Sequence, residues 1–212
     1  MTSFSPDSLA LYLIADPDFA HGSLIDTTRE AVANGVTMVQ LRWKSGTDRQ
    51  LAEVGRALMP ICTDHHVPLI VNDRVDIALA IGAHGVHLGV DDLAVTDARR
   101  IGGKQFIVGF SPDTDDQISA AAYDGASYLG IGPLYATATK SDAGPGLGPD
   151  EFSRRVGLTP LPVVAIGGIT VDNAHAALDA GARGVAVISA ILGSETPGPA
   201  ALALRAAGQT AR

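Results

Sequence analysis

Eight short runs rich in Val, Ile and Leu alternate along this chain with Ala-, Leu- and Arg-rich segments of helical spacing. The runs are Leu11–Ala15, Thr37–Leu41, Leu69–Asn72, Val86–Leu88, Phe106–Gly109, Tyr128–Ile131, Val163–Ile166 and Gly184–Ile188. Between them, Asp48–Ala57, Thr114–Asp124 and Val171–Ala180 read as helices. Near-continuous apolar runs are strands buried on both faces, and a helix after each one makes neighbouring strands parallel. Eight such units predict closure into a (β/α)8 TIM barrel rather than an open doubly wound sheet. A recurring phrase supports the repeat: Ala33-Asn34-Gly35-Val36, Gly82-Ala83-His84-Gly85-Val86, Asp124-Gly125-Ala126-Ser127-Tyr128 and Ala180-Gly181-Ala182-Arg183-Gly184-Val185. Each reads as a helix ending at Gly, then a tight turn into a strand. At 212 residues the chain is near the short end for this fold, and residues 1–212 read as a single compact domain.

Aromatic residues are only 5% of the chain, so the core must be built from Ala, Val, Ile and Leu. A net charge of −8 with 15 basic residues provides no general field for nucleic acid or an acidic membrane surface. Any anion site must then be local. A lone Cys62 rules out a disulfide framework and points to a reducing, cytoplasmic setting. The early apolar stretch Leu9–Ala15 is far too short to span a bilayer. Nothing here fixes oligomeric state, and a homo-oligomer stays open.

The polar residues at the ends of the apolar runs carry the chemistry, because strand ends of a parallel barrel converge on one rim. Of the twelve arginines and three lysines, two of the lysines, Lys44 and Lys140, fall in such positions. Gln40-Leu41-Arg42-Trp43-Lys44 leaves the second run with residues 40, 42 and 44 starting on one side. Asn72-Asp73-Arg74 ends the third run, and Asp91-Asp92 follows the fourth. Carboxylates there could share a hard cation such as Mg²⁺, or could simply cap the helices that follow. Ser111 stands just past the fifth run, where a serine before Pro112 also suits a turn. Thr137-Ala138-Thr139-Lys140 reads as a phosphate clamp in a Gly-Pro-Gly-containing flap from Thr137 to Gly148. Gly167-Gly168 and Ile188-Ser189 end the seventh and eighth runs, the loops that commonly hold phosphate in barrels. His87, on an apolar run, reads as a packed core histidine, and no Ser/His/Asp set stands out.

Gln40-x-Arg42-x-Lys44, Asn72-Asp73-Arg74-Val75-Asp76, His87-Leu88-Gly89 with Asp92, Gly109-x-Ser111, Gly132-Pro133 with Thr137-x-Thr139-Lys140, Ile166-Gly167-Gly168-Ile169 and Ile188-Ser189-Ala190 together resemble the thiamine-phosphate synthase family. The likeness runs in order from about residue 11 to 193. It implies a transferase joining a hydroxymethylpyrimidine diphosphate to a thiazole phosphate, or to its carboxylated form, with release of diphosphate. Carried over position by position, Gln40, Leu41, Arg42, Trp43, Lys44, Asn72, Ser111 and Lys140 would hold the pyrimidine diphosphate, with Arg42, Lys44, Lys140 and Ser111 catalytic. Thr137, Ala138, Thr139, Gly168, Ile188 and Ser189 would hold the thiazole phosphate. Asp73 and Asp92 would bind one Mg²⁺ per subunit. The chain departs from the family pattern at Val90, where Gln is usual, and at Pro112-Asp113, where a pair ending in His is common.

The charges are compatible with this reading. A diphosphate and a phosphate monoester bring roughly five negative charges, which Mg²⁺ with Arg42, Lys44 and Lys140 would match. A thiazole tautomerase of similar fold would need neither a diphosphate site nor a metal. A non-catalytic regulatory barrel that binds thiamine phosphates is the other rival, and fold alone does not separate it from an enzyme.

Overall fold

Eight parallel strands do form, and they close. A computed structural model describes residues 4–137 and 144–208. The strands are β1 Leu11–Ala15, β2 Met38–Leu41, β3 Leu69–Asn72, β4 Gly85–Leu88, β5 Ile107–Phe110, β6 Tyr128–Ile131, β7 Val163–Ile166 and β8 Gly184–Val187. Each pairs in parallel with the next, and β8 returns to β1 through Leu11 opposite Val185. The helices are α1 Leu24–Ala33, α2 Asp48–Asp64, α3 Val75–Ile81, α4 Val95–Gly102, α5 Asp115–Asp124, α6 Gly148–Val156, α7 Ala174–Asp179, α8 Ser189–Leu192 and α9 Pro197–Ala207.

Local chemistry sets these boundaries. Thr47 and Gln50 form a reciprocal capping box at the start of α2, and Thr114 and Gln117 do the same for α5. Gly82 and Gly125 adopt the left-handed conformation that ends α3 and α5, as the repeated Gly phrase predicts. Two helices differ from expectation. α2 continues past Ala57 to Asp64, carrying Pro60 at an exposed position. α7 starts at Ala174 rather than Val171, because Asn173 folds the preceding turn. Its Oδ1 accepts from Thr170 N–H at 2.8 Å, and its amide donates to Gly168 O at 2.9 Å.

Strand residues divide by parity between the barrel interior and the layer under the helices. Leu41 faces outward, within van der Waals reach of where a Gly55 side chain on α2 would begin. The helix α9 closes the ring by packing on α1, with Ala201 and Leu204 buried. Small residues are required where strands approach closely. A Cβ on Gly85 would fall 2.1 Å from Ile107 O. We predict that Gly85→Ala lowers unfolding free energy by about 2–3 kcal/mol through this clash. Chemical denaturation followed by circular dichroism measures it, and an unchanged midpoint would mean that β4 and β5 pack less tightly than described.

Candidate active site

The C-terminal ends of the strands open onto two adjoining cavities that share Ser111, Asp113, Gly130, Ile166 and Ala186 as walls. The smaller, about 280 Å³, is lined by Gln40, Arg42, Lys44, Asn72, Asp73 and Asp92 among others. The larger, about 660 Å³, is lined by Thr137, Gly168, Ile188 and Ser189. Residues separated by up to about 150 positions in the sequence therefore meet at one mouth, grouped as the motifs suggest. Ala138, Thr139 and Lys140 lie outside the described residues.

Alternation sorts the Gln40–Lys44 segment. Gln40, Arg42 and Lys44 face the smaller cavity, whereas Leu41 and Trp43 are not among its walls. Leu41 lies against α2, and Trp43 donates from Nε1 to Asp18 Oδ1 at 3.2 Å with its ring over Gly46. Any contact these two make with a ligand in the smaller cavity would come from the backbone.

Arg42 has a partner that sequence reading missed. Its guanidinium pairs with Asp16, whose side chain is fully buried just past β1. Asp16 Oδ1 also accepts from Asp18 N–H at 3.1 Å. The pair sits one rung above Ala15 and Leu41, which are opposite each other in the sheet. The expected balance of charges thus needs correction, because part of the Arg42 charge is already matched inside the protein. Lys44 is more exposed, with Nζ 3.6 Å from Asp73 Oδ2.

The aspartates are not helix caps. The residues flanking the starts of α3 and α4 are Arg74 and Ala94, and neither helix has a side-chain cap. Asp73 instead takes a left-handed backbone (φ 62°), with its N–H donating to His87 O at 2.8 Å. Such a conformation costs a non-glycine residue about 1 kcal/mol or more, and Asp tolerates it better than most. Asp92 Oδ2 accepts from Gly89 N–H at 2.7 Å. Burial and the adjoining Asp92 carboxylate push Asp73 up to about 6, while Lys44 pulls the other way. Two adjoining carboxylates form a donor set whose repulsion a divalent cation would relieve. A pair of carboxylates is a hard, oxygen-only donor set, of the kind that could take Mg²⁺ together with phosphate oxygens and water.

On the other side of the mouth, Gly167 and Gly168 both have positive φ, 96° and 66°. Leu134 and Tyr135 donate backbone N–H groups to Ile166 O and Gly167 O at 2.8 and 3.1 Å. A Cβ on Gly168 would fall 2.8 Å from Ala136 O, so the glycines let the segment after β6 lie directly on the end of β7. The departures from the family pattern also fall at the mouth. Val90 lines the smaller cavity, Pro112 the larger and Asp113 both.

His87 is buried and hydrogen-bonded, as expected of a core histidine, yet its Nε2 lies 2.8 Å from Ser111 Oγ. A Ser–His contact therefore exists that sequence reading did not find, although it is not a Ser/His/Asp set. The third member is Tyr128, with Oη 3.0 Å from His87 Nδ1. The register was the available signal: His87 faces Gly109, which has no side chain to separate neighbouring groups. Cys62 lies on α2 away from both cavities, and burial pushes its thiol up to about 12. Replacing Asp16 by Asn should leave Arg42 half-buried without its counter-charge. We expect Asp16→Asn to destabilise the fold by about 3 kcal/mol, read as a lowered denaturation midpoint; a wild-type midpoint would show the pair to be dispensable.

Three comparisons agree with this geometry. The family model described as thiamine monophosphate synthase matches residues 11–191. The thiamine-phosphate synthase of Azorhizobium caulinodans is 43% identical over 208 residues, covering 98% of both chains. That of Roseiflexus castenholzii is 46% identical over 195 residues, covering 92% of this chain and 86% of its own. The solved thiamine phosphate pyrophosphorylase of Pyrococcus furiosus superposes with a TM-score of 0.89 at 35% identity, covering 97% of this chain and 98% of its own. Fold, site architecture and relatives converge, and this chain belongs to the thiamine-phosphate synthase family.

Proposed function

We propose that residues 1–212, acting as one domain, join 4-amino-2-methyl-5-(diphosphooxymethyl)pyrimidine to 4-methyl-5-(2-phosphoethyl)thiazole, or to its carboxylated form with loss of CO2. The products are thiamine phosphate and diphosphate. The observation that carries this reading is the pairing of unlike cavities at one mouth. One is walled by an amide, cations and carboxylates, the other by glycines and hydroxyls.

In this reading Gln40 and Asn72 orient the aminopyrimidine. Arg42, Lys44, Ser111 and Lys140 hold the diphosphate, with Leu41 and Trp43 adding backbone contacts. Thr137, Ala138, Thr139, Gly168, Ile188 and Ser189 receive the thiazole phosphate. Asp73 and Asp92 would hold one Mg²⁺, which when bound neutralises charge on the diphosphate oxygens. Arg42 arrives already oriented by Asp16, so its donors need no reorganisation when negative charge builds on the leaving group. The electron-rich ring then carries the methylene cation as the C–O bond breaks. The thiazole nitrogen, held in the adjoining cavity, supplies the new bond. Catalysis is positioning and charge stabilisation, with no side-chain nucleophile.

A thiazole tautomerase has no use for an Asp73–Asp92 pair beside Lys44, and the relatives reported above are named as synthases. A purely regulatory barrel binding thiamine phosphates would leave both substrates intact. No described helix is long and apolar enough to cross a membrane. Small phosphorylated substrates and a reduced, buried Cys62 support a cytoplasmic setting.

The test is diphosphate release by the purified protein with Mg²⁺. Release that requires both substrates is expected; release from neither combination would refute the synthase reading. Lys140→Ala should lower turnover at least about a hundredfold by removing a charge-assisted contact to leaving oxygens, and near-normal turnover would remove Lys140 from the site. Asp92→Asn should shift the Mg²⁺ activation curve to higher concentration more than it raises the thiazole KM. An unmoved metal titration would dismiss Asp92 as a ligand.

A further inference from the structure

A continuous row of hydrogen bonds crosses the barrel interior from Gln40 to Ser111. Gln40 Nε2 donates to Tyr12 Oη at 2.7 Å. The Tyr12 and Tyr128 hydroxyls meet at 2.7 Å. Tyr128 Oη lies 3.0 Å from His87 Nδ1, and His87 Nε2 lies 2.8 Å from Ser111 Oγ. Gln40, Tyr12, Tyr128 and His87 are all buried, on β2, β1, β6 and β4 respectively. Two glycines clear the room for them. A Cβ on Gly109 would fall 2.3 Å from Tyr128 Oη and 2.4 Å from His87 Nδ1. One on Gly130 would fall 3.2 Å from both His87 Cε1 and Ser111 Oγ.

Counting protons gives the row a direction. A phenol has one proton to donate, and an amide N–H can only donate. Burial holds both tyrosines neutral, well above the usual phenol range. With Gln40 donating to Tyr12, the Tyr12 proton goes to Tyr128 and the Tyr128 proton to His87 Nδ1. The imidazole must then carry its own proton on Nε2, directed at Ser111. The serine oxygen accepts that proton's hydrogen bond, which leaves its own O–H to donate into the cavities that it lines.

We propose that Gln40, Tyr12 and Tyr128 set His87 as the Nε2–H tautomer, so that Ser111 is a hydrogen-bond donor to substrate and has no base beside it. Tyr12, Tyr128 and His87 are positioning residues in this account, which rests on the synthase reading. The reverse order would put a bare Nε2 lone pair against the serine, a Ser–His pair capable of activating a nucleophile. Next to a methylene cation, the Ser111 oxygen would then form a C–O bond to the pyrimidine carbon. Its proton would pass to Nε2, diphosphate would leave with the electron pair of the broken bond, and the enzyme would be left as a dead serine ether. The direction of the row closes that route.

Long-range ¹H–¹⁵N correlation on the ligand-free protein, labelled with ¹⁵N-histidine, reads the tautomer directly, and the His87 signals are those missing from His87→Gln. A neutral Nε2–H ring at pH 7 is expected; an Nδ1–H ring or an imidazolium overturns the proposal. Gln40→Glu replaces the donor at the head of the row with an acceptor and should turn His87 to the Nδ1–H form, whereas an unchanged ring removes Gln40 as the determinant. Tyr128→Phe keeps the packing and breaks the row. It should mix the tautomers and lower kcat about tenfold, with the thiazole KM within twofold. A pure Nε2–H ring with wild-type kcat in that variant overturns the relay. The tautomer is read without substrates, so it fails or succeeds separately from the diphosphate-release assay.

Discussion

In a closed parallel barrel a side chain at a strand end has two destinations, the mouth or the helix layer, and alternation decides between them. The chemistry of this chain depends on that parity. On β1, Tyr12 and Ile14 face the smaller cavity, and Asp16 continues the same series beyond the strand. On β2, Gln40 and Arg42 do likewise, and the pairing of Ala15 with Leu41 brings Asp16 and Arg42 to the same level. A one-residue slip of β2 would send Leu41 inward and Gln40 under α2, and both the ion pair and the head of the hydrogen-bonded row would be lost. Backbone register is thus the first determinant of the electrostatics.

Those electrostatics are not a simple positive well. Among the described residues the mouth carries the carboxylates Asp16, Asp73, Asp91, Asp92 and Asp113 against the cations Arg42 and Lys44. Asp16 gives up part of the attraction Arg42 has for an anion and fixes its donors in return. A buried pair of this kind contributes little net stability but resists losing one partner. Burial first, and then the adjoining Asp92 carboxylate, raise the proton affinity of Asp73 even with Lys44 3.6 Å away. In the proposed reading, that arrangement would take a divalent cation and a polyanion together rather than either alone. The overall negative charge of the chain then works against adventitious anions.

The sequence made the fold legible because each strand is a short apolar run and several helix ends are punctuated by Gly or a Thr–Gln box. Those signals are local. The grouping of Gln40, Arg42, Lys44, Asn72, Asp73, Asp92 and Ser111 was also legible, since barrel topology alone sends strand ends to one rim. Pairwise partners were not. Asp16 stands before Pro17, and nothing nearby in sequence marks it as buried against Arg42 26 positions away. Asp73 and Asp92 left cap and ligand open, because both uses want an acidic residue just before a helix; the structure removes the cap use, with Arg74 and Ala94 at the N-cap positions. His87 read as core and is core, but its second nitrogen reaches Ser111 only because Gly109 and Gly130 leave space across three strands. Contacts made possible by a missing side chain leave almost no trace in the pattern of residues present.

A reaction that generates a carbocation places an unusual demand on its surroundings: lone pairs near the electrophile must be occupied, except the one meant to attack. Several described side chains at this mouth meet that demand, and the Asp73 and Asp92 carboxylates would do so with the proposed cation bound. The Arg42 guanidinium has no lone pair to offer and is held by Asp16. The Lys44 ammonium lies beside Asp73, with Nζ 3.6 Å from Oδ2. Tyr12 and Tyr128 are neutral phenols engaged in the interior row. In the direction argued for that row, His87 presents a proton rather than a lone pair to Ser111. Burying four polar side chains in the barrel would be costly if any were left unpaired. A row in which each group satisfies the next avoids that cost and carries orientation from Gln40 on one side of the mouth to Ser111 on the other. The same parity that assembles the charged cavity thereby also determines which way the serine proton points.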